Sequence, residues 1–252
     1  MKYMGSKSKI AKFIVPILQD IIDRNNITIY VEPFCGGCNV IDKIKCNTRI
    51  ASDKQHYLIE LYKNLDKLDL LPDMITKEHY SDVRTAYNTK NNKYEDWYIG
   101  AIGFLSSYNG RFFDGGYAGI VTTKEGNTRN YYDEAKRNLL EQDLSNIIFE
   151  ENNYKDITVA NALIYCDPPY KDTKQYGVSK NFNHDEFWLW VREVSKNNIV
   201  IVSEEQAPDD FRIIWEQPIK RTVRFDLTVN TIEKMFTINN LELGKKEQLS
   251  LF

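Results

Sequence analysis

The sequence predicts an α/β protein with a Rossmann-like fold: a mixed, mostly parallel sheet with helices on both faces and an inserted subdomain. Three observations predict it. Short runs rich in β-branched and aromatic residues recur at residues 27–31, 49–53, 146–150, 162–166 and 198–203, separated by stretches of helical period. The first run ends in a glycine turn, the usual device where an α/β strand meets a ligand. From Pro72 to about Tyr132 the strands fade and tyrosine, asparagine and glycine rise. The expected division is a core half at 1–71, a recognition insertion at 72–132, a second core half at 133–241 and a flexible tail at 242–252.

Taken in order, Lys2-Tyr3-Met4-Gly5-Ser6-Lys7 opens the chain ahead of a helical pattern at Ile10, Phe13, Ile14, Ile17, Leu18, Ile21 and Ile22. Pro16 inside that pattern predicts a kink or a late restart. Next comes the strand at 27–31, followed by Glu32-Pro33-Phe34-Cys35-Gly36-Gly37-Cys38. Glycines there allow a tight turn and close approach of backbone to ligand. The spacing lacks the full dinucleotide fingerprint, so a nicotinamide cofactor is not indicated. The second strand ends in Asp53, about twenty residues beyond the glycine turn, where a carboxylate can hold ribose hydroxyls. Strand, glycine turn, helix, strand and acid suggest a pocket for an adenosine-containing cofactor. A helix through Tyr57, Leu58, Leu61, Tyr62 and Leu65 follows and breaks at Leu71-Pro72.

The most informative stretch is the apolar run 162–166 ending in Asp167-Pro168-Pro169-Tyr170. Prolines cannot donate to a ladder and restrict the residue before them, so the chain turns rigidly at the strand's C-terminal end. A carboxylate, a carbonyl and an aromatic face are held together there, at the end where open α/β sheets bind ligands. The exocyclic amine of adenine is a poor nucleophile because its lone pair is delocalised into the ring. Asp167 and the Pro168 carbonyl could accept its two N–H groups and favour the pyramidal, nucleophilic form. Tyr170 could stack on the base, a contact worth roughly 1–3 kcal/mol.

In the inserted region, a helix from about Trp97 to Phe104 leads into a glycine-rich loop. Its Tyr108, Asn109, Arg111 and Tyr117 suit stacking, base-edge reading and phosphate contact. Lys2 and Arg129 complete the candidate DNA contacts. A helix ends over 138–144, a strand follows at 146–150, and a later helix at 185–195 leads to the strand at 198–203. The last two strands are expected near 221–227 and 233–238 as an antiparallel hairpin. Tyr176, Phe182 and Ser203 are candidate pocket walls.

A net charge of −3 argues against binding nucleic acid through bulk charge, while leaving room for a local basic face. No apolar run is long enough to span a membrane and the start lacks a signal-peptide core, so a soluble, cytoplasmic chain is expected. Cys35 and Cys38 have no second such pair to complete a zinc site, no metal is expected, and the three histidines share no ligand spacing.

Phe34-Cys35-Gly36-Gly37, followed much later by Asp167-Pro168-Pro169-Tyr170, resembles the Dam-like (D12) DNA adenine-N6 methyltransferases. The resemblance runs from Lys2 to about Asn239 and implies the methyltransferase version of the α/β sheet. Tyr3 to Lys7 matches the family's N-terminal cofactor motif, with Ser6 in place of its second glycine; Cys38 stands where the family has a small residue. By resemblance, Tyr3, Lys7, Asp53 and Asp167 contact S-adenosylmethionine, and Glu32, Pro33, Phe34 and Gly36 line its methionine end. Asn153 and Tyr154 fall where family members flank the cofactor's adenine, and Tyr108-Asn109-Gly110 matches a turn of the recognition region. The implied reaction is methyl transfer to N6 of an adenine flipped out of double-stranded DNA.

The chain's last residues, Gln248-Leu249-Ser250-Leu251-Phe252, resemble the bacterial sliding-clamp-binding peptide, with Gln248, Leu249, Leu251 and Phe252 as the contacts. Two other functions are compatible with these motifs: methylation of RNA or of a protein side-chain amide, and a catalytically inactive DNA- or clamp-binding protein.

Overall fold

A computed structural model describes residues 1–122, 125–170, 182–224 and 227–241, with only the backbone at 220–224 and 227–229. Tyr176 and the tail residues Gln248, Leu249, Leu251 and Phe252 lie outside the described residues.

Seven strands form the main sheet: β1 (Ile29–Glu32), β2 (Thr48–Asp53), β5 (Ile147–Glu151), β6 (Leu163–Cys166), β7 (Ile199–Glu204), β8 (Arg212–Arg224) and β9 (Leu227–Thr237). Their order is β5-β2-β1-β6-β7-β9-β8. The first five run parallel, and β9 is antiparallel to both β7 and β8. This is the mixed, mostly parallel sheet expected of a Rossmann-like α/β fold. A separate two-stranded hairpin, β3 (Ile120–Thr122) with β4 (Thr128–Asn130), stands in the inserted region.

Both faces of the central strands are covered, which is why they read as continuous apolar runs. On β6, Leu163 and Tyr165 join one core while Ile164 and Cys166 join another, following the two-residue period of a strand. The first core holds Ile14, Leu18 and Ile21 of helix α1 (Ala11–Arg24), and Leu58 and Leu61 of α2 (His56–Lys63). The second holds Phe187, Trp188 and Val191 of α6 (His184–Val194), whose start is capped by Asn183 accepting the Glu186 N–H at 3.1 Å.

Residues 72–132 contain α3 (Lys77–Thr89) and α4 (Asp96–Leu105). Trp97, Ile102 and Phe104 of α4 belong to the same core as the sheet, and all but two of its residues are buried. A Cβ added at Gly100 would meet the Tyr57 carbonyl oxygen at 2.1 Å, so α4 and α2 touch backbone to backbone. Helix α5 (Tyr131–Leu140) then returns the chain to β5.

Two local expectations are corrected. The late restart is not found, because α1 runs from Ala11 through Pro16 to Arg24; Pro16 is exposed, so the carbonyl it leaves unpaired can face water. The final hairpin is longer than expected, because β8 starts at Arg212 and ends at Arg224. Pro218 discourages a strand at that place, but β8 is the edge strand, where proline costs least.

Candidate active site

Parallel register brings the C-terminal ends of β1, β2 and β6 to one edge, carrying Glu32, Asp53 and Asp167 with them. Pairing of Glu204 with Lys234 brings Glu233 of β9 to the same edge.

After β1, the chain turns through Gly36 at φ 44°. The Gly36 N–H donates to Asp53 Oδ2 at 3.1 Å, and the Gln55 N–H donates to Oδ1 at 3.0 Å. Burial nevertheless pushes the Asp53 carboxyl above its ordinary value, with these N–H donors pulling the other way. Tyr3 lies against the turn: a Cβ at Gly36 would meet its ring at 2.9 Å, and one at Gly37 would meet its Cβ at the same distance. The Tyr62 hydroxyl donates to the Gly36 carbonyl at 2.7 Å. The departures from the family pattern are accommodated differently. Ser6 has an ordinary negative φ, its hydroxyl accepting from the Ser8 N–H at 3.2 Å and from Asn39 at 2.8 Å. Cys38 is held at φ 52°, where a glycine would be unstrained.

Glu32 and Pro33 are buried and Phe34 is half-buried. The Glu32 carboxyl is pushed up to about 8, chiefly by burial and further by nearby Asp167, while the Tyr30 hydroxyl, donating to it at 2.7 Å, opposes the rise. Phe34 lies 5.4 Å from the Tyr154 ring and 5.9 Å from Phe182, so these three aromatics wall one flank. Asn153 caps the short turn that carries Tyr154, accepting the Lys155 N–H at 3.2 Å. Ser203 is fully buried, its hydroxyl paired with Tyr165 at 2.7 Å, and so belongs to the wall's interior.

Beyond β6, Asp167 and Pro169 are half-buried while Pro168 and Tyr170 are buried. Lys7 reaches this motif from the N-terminal segment. Its Nζ lies 2.8 Å from Asp167 Oδ1, 2.6 Å from the Tyr170 hydroxyl and 3.1 Å from Glu233 Oε1. The Tyr170 hydroxyl in turn donates to Glu233 Oε1. Burial alone depresses a lysine; the two carboxylates reverse that, and Lys7 is raised above its usual value. Glu233 was not foreseen. The available signal was its place on β9, where Glu233, Met235 and Thr237 share the buried face of an alternating strand. An acid at such a position needs a partner.

The candidate DNA contacts divide. A Cβ at Gly110 would meet the Lys2 carbonyl oxygen at 2.2 Å, so the loop around Tyr108 and the N-terminal segment are in contact. Lys2 and Arg129 meet at Glu134, at 3.1 Å and 2.8 Å, and both cations lie over the Tyr131 ring. Tyr108 is exposed with its ring 6.1 Å from Tyr131, and Asn109 is exposed beside it. Arg111 is half-buried in the same turn. Tyr117 points inward, donating its hydroxyl to the Ile75 carbonyl at 2.5 Å. Tyr131 and Glu134 escape a reading of the sequence, although they lie two and five residues after Arg129. Among the described residues no acid, histidine or cysteine cluster could hold a metal ion, and no helix is long and apolar enough to cross a membrane.

A glycine turn beside an acid thus shares one sheet edge with a second acid and two prolines at the neighbouring strand end. The sequence profile described as D12 class N6 adenine-specific DNA methyltransferase matches residues 3–190, and the chain belongs to that family. It is 27% identical over 195 residues to Type II methyltransferase M.FokI of Planomicrobium okeanokoites, covering 68% of this chain and 28% of that protein. Modification methylase StsI of Streptococcus sanguinis is 25% identical with the same coverage. Type II methyltransferase M.MjaIII of Methanocaldococcus jannaschii is 24% identical over 202 residues, covering 68% of each chain. The chain thus spans under a third of the first two relatives. The solved structure of SMU.472 complexed with SAH aligns with 94% of this chain and 54% of its own at TM-score 0.38 and 7% identity. At that level the strand order, and not the likeness, carries the fold class.

Proposed function

We propose that this chain transfers a methyl group from S-adenosylmethionine to N6 of an adenine turned out of double-stranded DNA. One observation carries the reading: the Asp167-Pro168-Pro169-Tyr170 turn lies at the same sheet edge as the glycine turn and Asp53.

The residues fit such a cofactor. Asp53 offers a carboxylate to ribose hydroxyls, and the Phe34–Tyr154 pair offers aromatic faces to a purine. Tyr3 and the Gly36 turn would border its amino-acid end, with Asn153 beside the purine. When bound, the cofactor supplies an electrophilic methyl group.

The chain's own part is binding and polarisation. Asp167 and the Pro168 carbonyl accept the two N–H groups of the target amine, which frees its lone pair and holds it in line. Tyr170, with its hydroxyl fixed by Lys7 and Glu233, supports the base. The site acts through position and electrostatics, and no side chain bonds covalently to the base. The flipped base must leave its stack because its amine is otherwise shielded. Lys2, Tyr108, Asn109, Arg111 and Arg129 contact the duplex beside it.

The test is expression in cells lacking adenine methylation, with sequencing of their DNA for N6-methyladenine. Modified adenines in one repeated word support the reading; unmodified DNA with the protein demonstrably expressed overturns it. The sequence Gln248-Leu249-Ser250-Leu251-Phe252 supports a further contact with a sliding clamp. Equal clamp binding by the intact chain and by one lacking residues 248–252 rules that contact out.

A further inference from the structure

We propose that Glu233 is a positioning residue for methyl transfer: it offsets the charge of Lys7 and fixes Tyr170, so that Lys7 does not cancel the charge with which Asp167 meets the target amine. This rests on the reading of Asp167 as the amine's acceptor.

Asp167 and Lys7 are 2.8 Å apart, and a pair this close is neutral as a whole. Left so, Lys7 would cancel the field that Asp167 needs as positive charge develops on the amine nitrogen. Glu233 adds the second carboxylate, 3.1 Å from the same ammonium. The trio then carries one negative charge in excess. Lys7 is 9% exposed and Glu233 only 1%, so water screens this balance weakly. A preorganised charge in such surroundings acts on the transition state without having to reorganise.

Geometry adds a second role. An ammonium has three N–H groups, and Lys7 directs them at Asp167, Glu233 and the Tyr170 hydroxyl. Tyr170 closes the ring by donating to Glu233. One strand residue therefore sets the orientation of both Lys7 and Tyr170. Glu233 stands on β9, a sheet strand, and so brings rigidity to a motif that otherwise lies in a turn.

The experiment uses the full chain, a DNA duplex that it methylates, and the variants Glu233→Gln, Glu233→Asp, Lys7→Gln and Lys7→Gln/Glu233→Gln. For Glu233→Gln, kcat should fall about tenfold or more, while KM for DNA and calorimetric S-adenosylmethionine affinity stay within about threefold. Glu233→Asp, which keeps the charge, should recover part of that kcat. In the Lys7→Gln background the Glu233→Gln change should cost no further rate, because nothing remains to offset. Unchanged kcat in Glu233→Gln overturns the proposal, as does an Asp variant as slow as the Gln variant. Losses that multiply in the double variant also overturn it. Should Glu233→Gln fail to fold, judged by its thermal transition, the Asp variant decides: a kcat within about tenfold of the parent's supports the proposal and a larger loss overturns it. A parent chain that methylates no DNA defeats the underlying reading instead, a result distinct from an active parent indifferent to Glu233.

Discussion

Asp53 accepts the backbone N–H of Gly36 at 3.1 Å, which ties the end of the second strand to the turn after the first. The acid does not simply wait for a ligand; it also fixes the loop that would receive one. Gly36→Ala attacks this arrangement twice, through a φ of 44° and a Tyr3 ring 2.9 Å from the new Cβ. It should cost roughly 1–3 kcal/mol of stability. Urea unfolding would measure that loss, and calorimetry should find weaker S-adenosylmethionine binding.

Asp167→Asn keeps the shape of the acceptor and removes its charge. Methyl transfer should fall roughly 10²–10³-fold, measured as radiolabelled methyl incorporated into DNA. The thermal transition should fall without loss of the fold, since Lys7 keeps Glu233 but loses the other carboxylate that offsets its burial.

Glu32 gives a pH signature. Its folded-state carboxyl is raised from 4.5 to about 8, so between these values the folded protein holds a proton that the unfolded chain has lost. Stability from this group is therefore complete below about pH 4.5 and is lost as pH rises towards 8. The scale is a few kcal/mol, because each tenfold change in proton affinity is worth about 1.4 kcal/mol. Glu32→Gln, neutral throughout, should flatten the pH dependence of the melting temperature across that window. An unaltered slope would count against a buried, protonated Glu32.

Glu134 pairs with both Arg129 and Lys2, which hold its carboxyl down at about 2. Phosphates must compete with that acid. Glu134→Gln should raise duplex affinity at low salt, with the gain fading as salt increases. Arg129→Ala should lower affinity and reduce the salt slope by about 1. Fluorescence anisotropy across a salt series measures both.

Sequence patterns revealed the fold's periodic parts well. The runs at 27–31, 49–53, 162–166 and 198–203 became β1, β2, β6 and β7, since burial on both faces leaves a local signature. What escaped was relational. Pro218 disguised β8 because a proline's tolerance depends on whether its strand lies at an edge, a property of the assembled sheet. Glu233 escaped because its meaning comes from Lys7 and Tyr170, which only sheet closure brings beside it. In the same way, Tyr117 looked like its neighbours in the aromatic loop, and only packing turned it towards Ile75.

The seam between α4 and α2 limits how recognition can be exchanged among relatives. A transplant cut at 72 and 132 would separate Gly100 from the Tyr57 backbone that it touches, and would strip Ile102 and Phe104 from the core beneath the sheet. The 72–132 region is therefore not a detachable cartridge. A productive chimera must carry α2 along with α4, or confine its changes to the exposed loop around Tyr108 and the β3–β4 hairpin.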